Sequence, residues 1–252
     1  MKSLGIFRVW LTPRDAVRTR KTPPALQRSA GFERAWHNTH RSGENPATWK
    51  GNLAHILPAR SKLSRGHQRA LHYDHAPAFI QSLRQRQGVA AKALDFTVLN
   101  AVRTSETLNA TWSELDLDAK VWTIPASRTK TSAQLRVPLS DDALSVLHEM
   151  RGVDSDFVFP ATSLKGPLSI NSMRSVLIRM GTGEQATVHG FRSTFRDWAG
   201  ETTDFPRDIV EMCLGHAVGS TVERAYRRGD ALDRRRAVME AWAAYLSGSR
   251  NM

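Results

Sequence analysis

Two short β-like runs constrain this chain more than any other feature. Val121-Trp122-Thr123-Ile124 and Leu135-Arg136-Val137-Pro138-Leu139 are rich in β-branched and aromatic residues, and the polar stretch 126–134 divides them. Elsewhere the apolar residues recur at helical spacing: Phe79, Ile80 and Leu83, then Ala91, Leu94, Val98 and Val102. Further helical stretches are predicted over 141–151, 169–180, 188–200, 206–214, 221–226 and 233–246, with Thr104 to Leu108 opening another. Ser140 suits an N-cap. Together the two runs suggest a small antiparallel ribbon. The expected fold class is mainly α with a small antiparallel β-sheet, and the sequence holds no internal repeat or low-complexity tract.

Charge divides the chain. Over 252 residues, 36 Lys and Arg face 24 Asp and Glu, a net +12, and residues 1–72 hold 14 of the basic side chains but only 3 acidic ones. Such an excess suggests an acidic polymer as partner, although an anionic membrane surface or plain solubility would give the same count. Residues 1–30 lack sustained periodicity and read as a basic irregular leader. Residues 31–65 carry Phe32, Trp36, Trp49, Leu53, Ile56 and Leu57 in short helical pieces broken at Pro46 and Pro58, too little to bury a core alone. Residues 66–76 read as a linker, and 77–249 as the folded domain. No apolar run reaches the roughly 18 residues a membrane span needs, and residues 1–11 lack a signal-peptide pattern. The single cysteine, Cys213, excludes an intrachain disulfide. A cytoplasmic protein associated with the nucleoid is the expectation.

Several residues could carry chemistry. His189-Gly190-Phe191-Arg192 sets an imidazole and a guanidinium three apart, so on a helix or its first turn both point the same way. Arginine offers a planar fork to phosphate oxygens, and histidine moves protons near neutral pH. A surface histidine beside a solvated arginine gives the same spacing. Leu214-Gly215-His216 adds a second imidazole, and ten residues on Tyr226 stands among Arg224, Arg227 and Arg228. Nearby cations lower the proton affinity of a phenol and so activate it, but a tyrosine packing a helix between wet arginines fits equally. Cys213 and His216 have a metal-like spacing, yet no second Cys/His pair follows, so no metal is expected and Cys213 reads as a small buried apolar residue. Gly181-Thr182-Gly183 lacks the lysine and flanking strand of a nucleotide-binding loop and reads as a turn. No cofactor is expected.

In order, Arg103 in Val102-Arg103-Thr104-Ser105-Glu106, Lys130 in Arg128-Thr129-Lys130-Thr131, His189, Arg192, His216 and Tyr226 resemble the catalytic signature of the tyrosine recombinase, or phage integrase, family. The phrases Val137-Pro138-Leu139-Ser140, Phe195-Arg196-Asp197-Trp198-Ala199 and Ala225-Tyr226-Arg227-Arg228-Gly229-Asp230 look like its satellite-phage and prophage integrases. Arg41 to Pro46 resembles the tail of that family's core-DNA-binding domain, which makes 31–65 its remnant. The resemblance implies a tyrosine recombinase catalytic fold and a metal-independent transesterification. Tyr226 would attack a DNA phosphodiester to form a 3′-phosphotyrosyl bond. Arg103 and Arg192 would clamp the non-bridging oxygens, Lys130 protonate the leaving 5′-oxygen, His189 act as general base or shuttle, and His216 hydrogen-bond the phosphate.

As partners the resemblance implies double-stranded DNA at attachment sites and a homotetramer on that DNA, admits DNA-bending accessory proteins, and involves no membrane. Two features depart from the subgroup. About forty residues precede Arg41 and resemble neither of its N-terminal domains, so an N-terminally truncated integrase is expected; and Leu135 stands where the subgroup often has histidine. A non-cleaving DNA-binding remnant and a type IB topoisomerase-like nicking and closing activity are the alternatives. Residues 234–246 have an amphipathic pattern that suits either docking on a neighbouring subunit or a helix of the chain's own core.

Overall fold

The computed structural model divides into two compact units, residues 1–65 and 66–252, and describes residues 68–163, 166–220 and 229–248, all in the second. The expected leader and the 31–65 segment therefore lie outside the described residues, as do the 221–226 helix and Tyr226.

The order of elements is α1 (Ala76–Arg84), α2 (Val89–Asn100), α3 (Thr104–Leu108), β1 (Leu115–Asp116), β2 (Val121–Ile124), β3 (Leu135–Pro138), α4 (Asp141–Met150), α5 (Ser172–Arg179), α6 (Phe191–Thr202), α7 (Arg207–Cys213) and α8 (Leu232–Leu246). The sheet is antiparallel in the order β1-β2-β3, with Trp122 opposite Val137 and Ile124 opposite Leu135. Its edge strand β1, two residues long, adds to the expected pair: Leu115-Asp116 is too short to show a period, and the pairing with Val121-Trp122 makes it a strand.

Helix α2 is the pivot of the core, packing against α1, α3, α4, α5 and α8. It is apolar nearly all round, as a helix surrounded by others must be, with Leu94, Phe96, Val98 and Leu99 all buried. Two of its polar residues are satisfied within the helix, Thr97 Oγ1 donating to the Ala93 carbonyl at 2.6 Å and Asn100 Nδ2 to that of Phe96 at 2.8 Å, while buried Asp95 accepts from Arg84 of α1 at 3.1 Å through one carboxylate oxygen. Phe96 packs between Trp122 of the sheet and Phe159 with its ring tilted to both, centroids 5.5 and 5.4 Å apart, which seats the sheet against the helices. Ser140 caps α4 by accepting from the Ala143 amide.

Helix α8 packs against α7, β3, α1 and α2 of its own chain. Val238, Met239, Trp242 and Leu246 are buried, and Trp242 Nε1 donates to the Val98 carbonyl at 3.0 Å. Of the two readings of its amphipathic pattern, the structure adopts the intramolecular one. Trp242 meets Phe195 and Trp198 of α6, centroids 5.6 and 4.9 Å away, so α8 braces the helix that carries Arg192.

The described part of the linker segment is packed down. Leu71 is buried and its carbonyl accepts from Thr194 Oγ1 at 2.6 Å; the Arg69 carbonyl accepts from the Thr187 amide at 2.9 Å; Tyr73 Oη donates to Glu201 at 2.8 Å. Polar composition there disguises backbone groups that find partners on α6 and the turn before it. Gly190 allows this approach, since a Cβ at that position would lie 2.1 Å from the Arg69 carbonyl oxygen. Cys213 is buried as expected, and burial pushes its thiol up to about 12.

Candidate active site

Arg103 occupies the N-cap of α3, where the Glu106 carboxylate accepts from its backbone amide and its guanidinium, each at 2.8 Å. Glu106 is buried, so this ion pair orients Arg103, whose own side chain remains 17% exposed. The pattern of an acid three residues after a cap is the signal that could have singled out Glu106.

Arg192 is the second residue of α6, which starts at Phe191 instead of the expected 188, because Thr187 to Gly190 form a turn closed by the Gly190 amide on the Thr187 carbonyl. His189 therefore sits on that turn, ahead of the helix. Arg192 is only 5% exposed and is gripped by carbonyls from two other elements: Nη1 donates to Ala101 at 2.5 Å and Nη2 to Leu214 at 2.7 Å. Burial first, and the neighbouring Arg103 second, push its pKa down to about 10, which leaves it charged at neutral pH. Lysine has no fork to span both carbonyls.

His216 is delivered by the end of α7. Gly215, at φ +62°, is the left-handed residue of a Schellman turn in which the His216 amide donates to the Glu211 carbonyl and the Gly215 amide to that of Met212, each at 3.0 Å. His216 Nε2 lies 3.2 Å from Arg192 Nη2 and Nδ1 lies 2.5 Å from Glu211 Oε2. Glu211 was not visible as a site residue; the six-to-one turn closed at Gly215 is the feature that predicts its meeting with His216. Burial raises the Glu211 carboxyl, but hydrogen bonds from His216 and Arg196 outweigh this and hold it below its ordinary value.

Lys130 lies in the β2–β3 connection, exposed and without a hydrogen bond among the described residues. Its neighbour Arg128 is committed to structure: it pairs with Glu114 and donates to the Glu106 carbonyl, fastening the connection beside α3. Thr129 Oγ1 donates to the Ala133 carbonyl at 2.7 Å and shapes the turn. Arg103, Thr129, Thr131, Leu135 and His216 line a cavity of about 450 Å³ between this connection and the end of α7. His189 is crowded by protein atoms although its surface is open. Lost hydration, followed by the charges of Arg192, Arg103, His216 and Lys130, lowers its pKa, so it is neutral at pH 7. Five of the six expected site residues are thus brought near one another: Arg103 and His216 line the cavity, Arg192 touches His216, and all of these with Lys130 act on the charge of His189; Tyr226 lies outside the described residues. Two arginine forks and two imidazoles gathered in this way suit a phosphate. Among the described residues no group of three or more His, Cys, Asp or Glu is placed to hold a metal, and no helix is long and apolar enough to cross a membrane.

The fold is that of the lambda integrase catalytic domain. A lambda integrase dimer bound to a COC′ core site matches over 77% of this chain and 70% of its own, with a TM-score of 0.51 at 18% identity. The integrase of mycobacterium phage Brujita matches over 86% and 69%, with a TM-score of 0.52 at 19% identity. Residues 69–232 match the phage integrase family model, and the chain belongs to that family. The integrase of Enterobacteria phage P4 is 32% identical over 82% of this chain and 50% of its own length. Prophage integrase IntA of Escherichia coli K12 is 36% identical over 58% and 36%. The chain spans about half or less of the length of these curated relatives.

Proposed function

We propose that this chain carries out site-specific DNA recombination by metal-independent strand transfer through Tyr226, with residues 77–249 as its catalytic domain. The observation that carries this reading is Arg192, buried and locked by two carbonyls with its remaining edge turned to His216, opposite an Arg103 steered by Glu106. Buried forks held before substrate arrives suit charge that develops in a transition state, because nothing has to reorganise. In the proposed step, Tyr226 Oη bonds to phosphorus, its proton passes to His189, and the bond from phosphorus to the 5′-oxygen breaks. Lys130 protonates that oxygen, and a 3′-phosphotyrosyl ester is left. Neutral His189 can accept a proton and exposed Lys130 can reach out to give one. The ester conserves bond energy, so religation needs no nucleotide triphosphate. Solved lambda integrase includes a dimer on a core site and a tetramer on a Holliday junction; a homotetramer on double-stranded DNA is the corresponding assembly here.

The test is covalent capture. The full chain is incubated with a library of nicked duplexes, denatured in detergent, and assayed for protein-linked DNA. The expected result is an adduct that Tyr226→Phe, which keeps the ring and removes the hydroxyl, abolishes. Salt-sensitive binding without any adduct would identify a non-cleaving remnant. Relaxation of supercoiled DNA of arbitrary sequence, without recombinants, would identify a nicking and closing enzyme.

A further inference from the structure

The His216 ring is held at both nitrogens, and the two contacts allow only one neutral form. Arg192 has no acceptor, so the 3.2 Å contact between its Nη2 and His216 Nε2 is a hydrogen bond only if Nε2 is bare. The proton then sits on Nδ1, facing Glu211 Oε2 at 2.5 Å. The other oxygen of that carboxylate, Oε1, accepts from Arg196 Nε at 2.7 Å, and the Glu211 side chain is only 17% exposed. Both oxygens are therefore committed, and the carboxylate cannot turn away from the ring without losing Arg196.

We infer that Glu211 is a positioning residue for His216: it takes the Nδ1–H, fixes the tautomer, and keeps Nε2 aimed at Arg192 and the opening beside it. The phosphate part of the consequence rests on the function proposed above. If His216 gains a proton, Nε2–H and the Arg192 N–H point at one another with no acceptor between them. An anionic oxygen seated between the two would accept from both, while Glu211 balances the new charge on Nδ1. Phosphate binding and protonation of His216 then favour one another. Other charges near the ring bear on the same equilibrium: Arg103, Arg196, Arg207 and Arg235 oppose its protonation, and Asp208 and Asp230 across the two adjoining pockets favour it.

The test uses the full chain with ¹⁵N-labelled histidine, following the two ring nitrogens of His216 by NMR across a pH titration. Neutral His216 is expected in the Nδ1–H form. Glu211→Gln keeps an acceptor and the side-chain shape but removes the charge, and is expected to retain the tautomer. Glu211→Leu, checked for folding by its melting transition, is expected to lose the tautomer preference. A predominantly Nε2–H ring in the wild type, or an Nδ1–H preference that survives in Glu211→Leu, would overturn the assignment. The cleavage assay is read on the same samples. Absence of an adduct in the wild type would remove the strand-transfer reading, while the ring nitrogens still decide the role of Glu211.

Discussion

At the residue scale, the site works by committing some cations so that others stay available. Arg128 and Lys130 stand two apart in sequence, yet Arg128 is bound to Glu114 and the Glu106 carbonyl while Lys130 is exposed. His189 shows the cost of lost hydration first and of gathered positive charge second. Its pKa is lowered in the folded protein, so below the ordinary histidine value of about 6.5 the unfolded chain binds a proton that the native chain does not. Native stability is therefore expected to fall as pH drops through about 6.5, and to level off once the folded midpoint is passed. Denaturant midpoints measured between about pH 5 and 8 should show this loss in the wild type and a shallower one in His189→Gln. The Glu211 carboxyl, held low, loses its own contribution only in more acidic solution, below the ordinary carboxylate range, so the two windows do not coincide.

At the element scale, α6 depends on both ends of the domain. The segment before α1 is laid against it through Leu71, Thr194 and the turn at Gly190, and α8 supports it through Trp242. Gly190 has helical dihedrals, so its requirement is space: a Cβ would meet backbone, which cannot swing aside. Gly190→Ala is expected to cost about 1–3 kcal/mol in thermal or chemical unfolding, the usual range for a forced overlap in a packed site. Residues 68–72 are expected to gain amide exchange in that variant before α2 does, because the overlap pushes out the Arg69 carbonyl and the Leu71 anchor follows it. An unaltered exchange pattern at these amides would mean that the segment is held by something other than this contact.

At the scale of the whole molecule, the described domain is nearly neutral while residues 1–72 hold most of the excess positive charge. A basic segment of this kind contributes affinity for DNA through counterion release, largely without regard to sequence. Replacing Arg18, Arg20 and Lys21 together with glutamine is expected to weaken DNA binding and to flatten the plot of log affinity against log salt by up to about 3 units of slope. Titrations at several salt concentrations measure this directly. A slope equal to that of the wild type would show that these side chains touch no phosphate.

The helical periods, the two longer strands and the Ser140 cap were legible in the sequence because each is a local pattern: a repeat of side-chain burial, or a cap reaching three residues. The six candidate site residues come as short phrases resembling one family, and the structure brings five of them near one another, Tyr226 lying outside the described residues. Two-residue β1 has no period to read, and the anchoring of 68–75 depends on backbone groups whose partners lie more than 100 residues away. Glu211 was hidden for a similar reason, since its place beside His216 comes from a left-handed turn at Gly215 and its grip from Arg196 on another helix. Local chemistry thus chose the residues. Only tertiary packing decided which cations are spent on carbonyls and carboxylates and which remain open, because that depends on distances the chain acquires only once its core has closed.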